Sequence, residues 1–238
     1  MSSKRSDLEV PKQTHGDTAH TTLKAAIAAI PYVGGTAAEL FSKTLLPPLE
    51  RLREEWMEAV ALELTKLTEQ VKELSMDDLV ENEMFVSTLM HATRLAVSTH
   101  QGRKLQALQN AILNAAMPNS PEDDLQMIFL NLVDILTVWH LKILDFFDDP
   151  QSSVESQTNW KSISPFKILT RIKYAELEEK EDLVDHIIRD LNSRGLLTYD
   201  LTQLRNADHP SQALMSRTTP MAKQFLDFLK TPIVDEQE

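Results

Sequence analysis

Between residues 49 and 74 apolar side chains recur every three or four positions, at Leu49, Leu52, Trp56, Val60, Leu64, Leu67, Val71 and Leu74. Charged residues (Arg51, Arg53, Glu54, Glu58, Glu63, Lys66, Glu69 and Lys72) fill the intervening positions. That is the period of an α-helix with one buried stripe, and it predicts about seven turns. Pro47-Pro48 closes whatever precedes it, and Pro48 suits the first turn of this helix. The spacing returns at Phe85, Leu89, Ala92, Ala96 and Thr99 and, after a break that Gly102 allows, at Leu105, Leu108, Ile112 and Ala115. PNSPEDD ends that segment, and Ser120 before Pro121 gives a start signal for the next.

Residues 124–150, DLQMIFLNLVDILTVWHLKILDFFDDP, are apolar on nearly every face. A helix of this kind is surrounded by others, so the expectation is one continuous central helix of a bundle. Asp124, Gln126, Asn131, Asp134, His140, Lys142 and Asp145 place polar groups along it that a bilayer interior would penalise.

The pattern changes at both ends of the chain. Residues 1–20 read as a disordered polar arm, without the apolar run that a secretory signal would need. Thr21 or Thr22 can cap a short helix through Ile30, Pro31 expels its predecessor from helical geometry, and Gly34-Gly35 permits a turn before a second short helix over 36–46. The stretch AAIAAIPYVGGTAAELF, 25–41, is small and apolar throughout. Two readings stay open. Small residues let two short helices pack closely on the bundle, with Tyr32 and Phe41 filling gaps. Alternatively residues 22–46, about as long as a membrane span but carrying Lys24, Glu39 and Lys43, leave the bundle to enter a bilayer interface or meet a partner. In that case Leu23, Ile27, Ile30, Val33, Leu40 and Phe41 form the functional face, and Pro31, Gly34 and Gly35 the hinge.

At the other end, 150–162 reads as a polar linker, 163–232 as a small module and 233–238 as a tail. SPFKILTRIKYAE and EDLVDHIIRDLNSRG carry helical patterns, the second closed by Gly195. LLTYDL and ALMSRTT can pair as short strands, and Thr219-Pro220 starts a last helix. This order, carried by DLVDHIIRDLNSRGLLT followed by SRTTPMAKQFLDFL, resembles a winged-helix domain, with Ala222 where that family often has glycine. The resemblance implies a fold and no particular target. Residues 160–238 hold eleven bases against thirteen acids, and the presumptive recognition helix sets Arg189 and Arg194 against Asp182, Asp185 and Asp190. A DNA reader needs a basic face, so nucleic acid is disfavoured.

Composition narrows the class further. A chain of 238 residues that is 42% hydrophobic and 25% charged, with only five glycines and eleven prolines, has the make-up of a globular protein. With no cysteine it has no disulfide, thiolate ligand or cysteine nucleophile, and a reducing cytosol fits best. Thirty-six acids against 24 bases give a net charge of −12, which repels phosphate backbones and anionic lipid unless positive charge is segregated.

Candidate chemistry is sparse. No nucleophile-elbow, P-loop or dinucleotide pattern is present, and Gly34-Gly35 lacks the lysine and third glycine of phosphate-binding loops. His91 and His100 are nine apart, and His15 and His20 fall in the polar arm, so no pair shares a helix face as metal ligands would. The acid pairs Asp77-Asp78 and Asp123-Asp124 suit helix starts, and Asp148-Asp149 suits a turn after a helix end. His140, beside Trp139 in the central segment, reads as a hydrogen-bonded core residue first and a catalytic base second.

Residues AAIAAIPYVGGTAAELFSKTLLPPLERLREEWMEAVALEL, an all-helical middle and a TTPMAKQFLDFL tail together resemble bacterial helical proteins grouped around the Abi-alpha family, some linked with abortive infection against phage. The resemblance implies a bacterial cytosolic protein with no catalytic residues to carry over. The fold expectation is therefore mainly α: a multi-helix bundle over 21–149, followed by a small winged-helix-like α+β module. The functional expectation is a non-enzymatic interaction or effector protein with no cofactor and no metal. It meets a protein partner or a second copy of itself, with conditional contact at the inner membrane. A winged-helix regulator and an enzyme with a site near His140 are the alternatives.

Overall fold

The computed structural model describes residues 46–153, 164–198 and 214–232. The chain divides into two units, 1–50 and 51–238, and the second is the compact body described below. The described helices are α1 (Leu46–Gln70), α2 (Met76–Glu81), α3 (Glu83–Ser98), α4 (Gly102–Ala116), α5 (Asp123–Ile135), α6 (Val138–Asp148), α7 (Pro165–Lys167), α8 (Glu181–Ser193) and α9 (Pro220–Leu229).

In α1 the expected stripe is buried at Trp56, Val60, Leu64 and Leu67, whereas Leu52 remains 50% exposed. Trp56 Nε1 donates to Thr93 Oγ1 at 3.2 Å, which ties α1 to α3 and satisfies the one polar atom of a buried indole. The acid pairs stand at helix ends. Asp77 and Asp78 lie in the first turn of α2, whose N-cap Ser75 accepts from Asp78 N, and Asp123 and Asp124 lie in the first turn of α5. Asp148 ends α6 and Asp149 caps it.

The centre of the body differs from the expectation. Residues 124–150 form two helices, not one: α5 ends at Ile135 and α6 begins at Val138, with Leu136 and Thr137 extended between them. Sequence reading missed this break because apolar residues on every face hid it. Thr137 takes the N-cap position and turns its hydroxyl back to the chain, a conformation in which a threonine competes with helix.

One hydrophobic core runs from Trp56 to Phe228, so residues on both sides of 154–163 are buried together. Phe129 of α5 is fully buried against two rings of α9, Phe225 and Phe228, each at 5.6 Å between centroids. Two side-chain amides of α4 close the end of α9. Asn110 Nδ2 donates to Leu229 O at 2.8 Å, and Asn114 Nδ2 donates to Phe228 O at 3.0 Å and Lys230 O at 2.7 Å. These are carbonyls that the helix itself leaves without partners.

The segment expected as one helix over 164–176 is less regular. Ser164 caps a single α turn with Pro165 at its first position, and Ile168–Lys173 then winds as a π turn, with Tyr174 N donating to Leu169 O at 2.9 Å. The β-branched Ile168, Thr170 and Ile172 weaken helical preference here, and Thr170 Oγ1 bonds back to Phe166 O.

The strand expectation also needs correction. Among the described residues the β part of the C-terminal segment is a single antiparallel bridge, Leu197 to Thr218, and no strand. Arg217 explains why: its carbonyl accepts from Thr198 N, but its N–H goes to Phe147 O at the end of α6 and not to a second strand. Residues 199–213 lie outside the described residues. The helical class stands; among the described residues no β-module is formed.

Gly195 behaves as its position suggested. It has φ +71, the residue before it caps α8, Leu196 N donates to Leu191 O and Gly195 N to Asn192 O, the two bonds of a Schellman turn. A Cβ at Gly195 would meet nothing within 4 Å, so Gly195→Ala is expected to cost about 1–2 kcal/mol from backbone strain alone. Urea unfolding of that variant checks it: a loss near zero would mean that the turn relaxes.

Candidate functional site

The break between α5 and α6 gathers a small group of polar contacts. On its N-terminal side, Lys104 of α4 donates to Asp134 O at 2.8 Å, placing a cation on carbonyls at the end of α5. Burial lowers the Lys104 pKa, with Asp134 opposing. On its C-terminal side, Thr137 and His140 form a reciprocal cap. Thr137 Oγ1 accepts from His140 N at 3.4 Å, and His140 Nδ1 receives Thr137 N at 3.3 Å and lies 2.8 Å from Thr137 Oγ1. This is the geometry of a capping box with histidine where glutamate or glutamine is usual.

The other ring nitrogen faces α8. His140 is 6% exposed, and its Nε2 lies 3.3 Å from Asp190 Oδ2, within ion-pair distance but off the line of a hydrogen bond. Asp190 is held more strongly by Arg194, whose Nε donates to the same oxygen at 2.9 Å. That bond is the main cause keeping the Asp190 carboxyl below its ordinary range. Burial lowers the His140 pKa from its usual value; Asp190 pulls it up, and His186 and Arg194 push it down. The ring is neutral near pH 7, with both nitrogens directed at protein groups.

Around the same joint, Lys142 Nζ sits 4.4 Å from the centre of the Trp139 ring, and Trp139 meets Tyr174 edge-on at 5.5 Å. The aromatic pair is thus covered by Lys142, which shares a helix with Trp139. An open cleft of about 550 Å³ lies between α4, α6 and the end of α9, with Arg103, Asn110, Asp145, Leu226 and Lys230 on its walls. Its cations are already neutralised: Arg103 pairs with Asp145 at 3.2 Å, and Lys230 with Asp227 at 3.1 Å and Asp148 at 3.7 Å. His140 is not among the lining residues.

Of the residues read from sequence as candidates for chemistry or contact, His140 falls at this joint. Leu23, Ile27, Ile30, Val33, Leu40 and Phe41, with the hinge residues Pro31, Gly34 and Gly35, lie outside the described residues. Sequence reasoning set Asp190 against Arg194 but did not connect it to His140, and it missed Lys104; no local signal links either to the histidine. It also missed Thr137, although the Thr137-Val-Trp-His140 spacing is that of a capping box. Among the described residues, no three His, Asp or Glu side chains stand together as a metal site requires, and no helix is long and apolar enough to cross a membrane. Compared with known protein families, with curated proteins and with solved structures, the chain matches none.

Proposed function

We propose that this chain is a non-enzymatic helical interaction or effector protein whose N-terminal segment, residues 22–46, engages a membrane surface or a protein partner when triggered. The observation that carries the reading is the composition of 25–41, small and apolar around Pro31 and Gly34-Gly35, preceding a body that forms a compact unit from Arg51 onward. The likeness to Abi-alpha proteins supports a bacterial setting and a part in phage defence. His140 is better understood as a cap than as a catalytic base, because Nδ1 holds the start of α6 and Nε2 faces Asp190.

A winged-helix-like path for 163–232 is favoured by the order of α8, the Gly195 turn, the Leu197–Thr218 bridge and α9. Its use on a protein is preferred over use on nucleic acid. Arg194 is paired with Asp190, and Arg189 lies 3.8 Å from Asp185, leaving α8 no surplus of positive charge.

Flotation with liposomes tests the proposal on the full chain, alongside a variant carrying Ile27→Asp and Ile30→Asp. Binding or dye leakage that the variant loses while keeping its helicity supports membrane engagement. Loss of self-association or of a co-purifying partner in the folded variant supports the protein-contact form. A variant that unfolds makes 22–46 ordinary core and defeats the proposal.

A further inference from the structure

The cap at the start of α6 is built around a titratable atom. The Thr137 N–H can only donate, so His140 Nδ1, 3.3 Å away, must accept. The Thr137 hydroxyl fits the same assignment: its oxygen accepts from His140 N–H and its proton is free to point at Nδ1, 2.8 Å away. The neutral ring therefore carries its proton on Nε2, facing the Asp190 carboxylate. A second proton has one place to go, which is Nδ1. Once protonated, Nδ1 becomes a donor aimed at the Thr137 N–H, and while the hydroxyl can rotate to accept, the backbone N–H cannot.

We propose that the α5–α6 joint is a pH-sensitive latch, closed while His140 is neutral and released when Nδ1 takes a proton. Release frees the first turn of α6, while Nε2 keeps its place beside Asp190 of α8. The surrounding charges set the threshold. From α8, Asp190 favours the charged ring, but that carboxylate is shared with Arg194, and His186 and Arg194 oppose the charge. From α5, the Asp134 side chain is exposed, and its backbone carbonyl is occupied by Lys104 of α4. Burial of the ring opposes ionisation most strongly.

Because the folded ring titrates below the unfolded value of about 6.5, the cap contributes fully above that pH and is lost as pH falls through the folded pKa. His91 on α3 is also lowered, by burial first and then Arg94, with Asp134 opposing. It loses stability in the same direction, so acid sensitivity of the whole protein does not single out His140, and a residue-specific readout is needed.

His140→Gln supplies that contrast, since glutamine at this position accepts from the cap N–H and does not titrate. In the full chain, amide hydrogen exchange at Thr137, His140 and Leu141, corrected for intrinsic rates, is compared between about pH 7.5 and about pH 5.5. The expected result is a severalfold loss of protection at these amides in the native chain, with about tenfold as the ceiling set by an unfolded value of about 6.5, and little change in His140→Gln. Ring nitrogen spectra of the native chain are expected to show the proton on Nε2 at the higher pH and a His140 midpoint below about 6.5. Equal acid loss in both proteins, a proton on Nδ1, or a midpoint at or above that value overturns the latch. Should the glutamine variant fail to fold, the ring spectra of the native chain decide the matter.

Discussion

Phe129→Ala is expected to remove about 3–5 kcal/mol of folding stability, the range for truncating a fully buried ring. Phe129 has no exposed surface, and the rings of Phe225 and Phe228 rest against it from α9. Alanine would leave a void bounded by two aromatics that are themselves fixed by the core, so the site cannot collapse cheaply. Because the contact joins residues on both sides of 154–163, the loss should appear as a lower midpoint of one cooperative urea transition. Two separated transitions would show that α9 and its surroundings fold apart from the bundle. Phe129→Leu, which keeps most of the volume, should cost far less.

Asn114→Ala is expected to cost about 1–3 kcal/mol, since it strands acceptors at the end of α9. The amide reaches Phe228 O and Lys230 O, and Asn110, buried beside it, reaches Leu229 O. Each gives a helix-terminal carbonyl a protein donor; the bonds to Leu229 O and Phe228 O are half-buried, and the one to Lys230 O is exposed. The double variant should cost less than the sum of the single ones, because one freed helix end is lost twice. Urea denaturation of the two singles and the double tests this. Additive losses would mean that the two amides act independently.

Much of this body was readable from patterning. The stripe of α1, the carboxylates at the starts of α2 and α5, the Thr219-Pro220 start of α9 and the left-handed Gly195 each follow from a local rule that packing did not override. What escaped were features decided over distance. Leu52 fits the apolar period of α1 yet faces outward, because period alone does not say how wide a partner surface will be. The break at Thr137 was hidden by apolar neighbours on every face, although its cap spacing lay in the sequence. Asp190 lies fifty residues beyond His140, and only the packing of α6 on α8 brings them within 3.3 Å. Of the expected hairpin, the described residues hold one bridge, and the Arg217 N–H beside it donates to Phe147 O.

The proposed engagement of residues 22–46 requires that the body from Arg51 onward fold without them. Urea unfolding of the full chain and of a chain beginning at Pro48, followed by circular dichroism, tests that requirement most directly. One cooperative transition is expected in each, with midpoints within about 0.3 M of one another and equal slopes. A midpoint lower by about 1 M or more in the shorter chain, or loss of cooperativity, would make residues 22–46 part of the core and contradict the account.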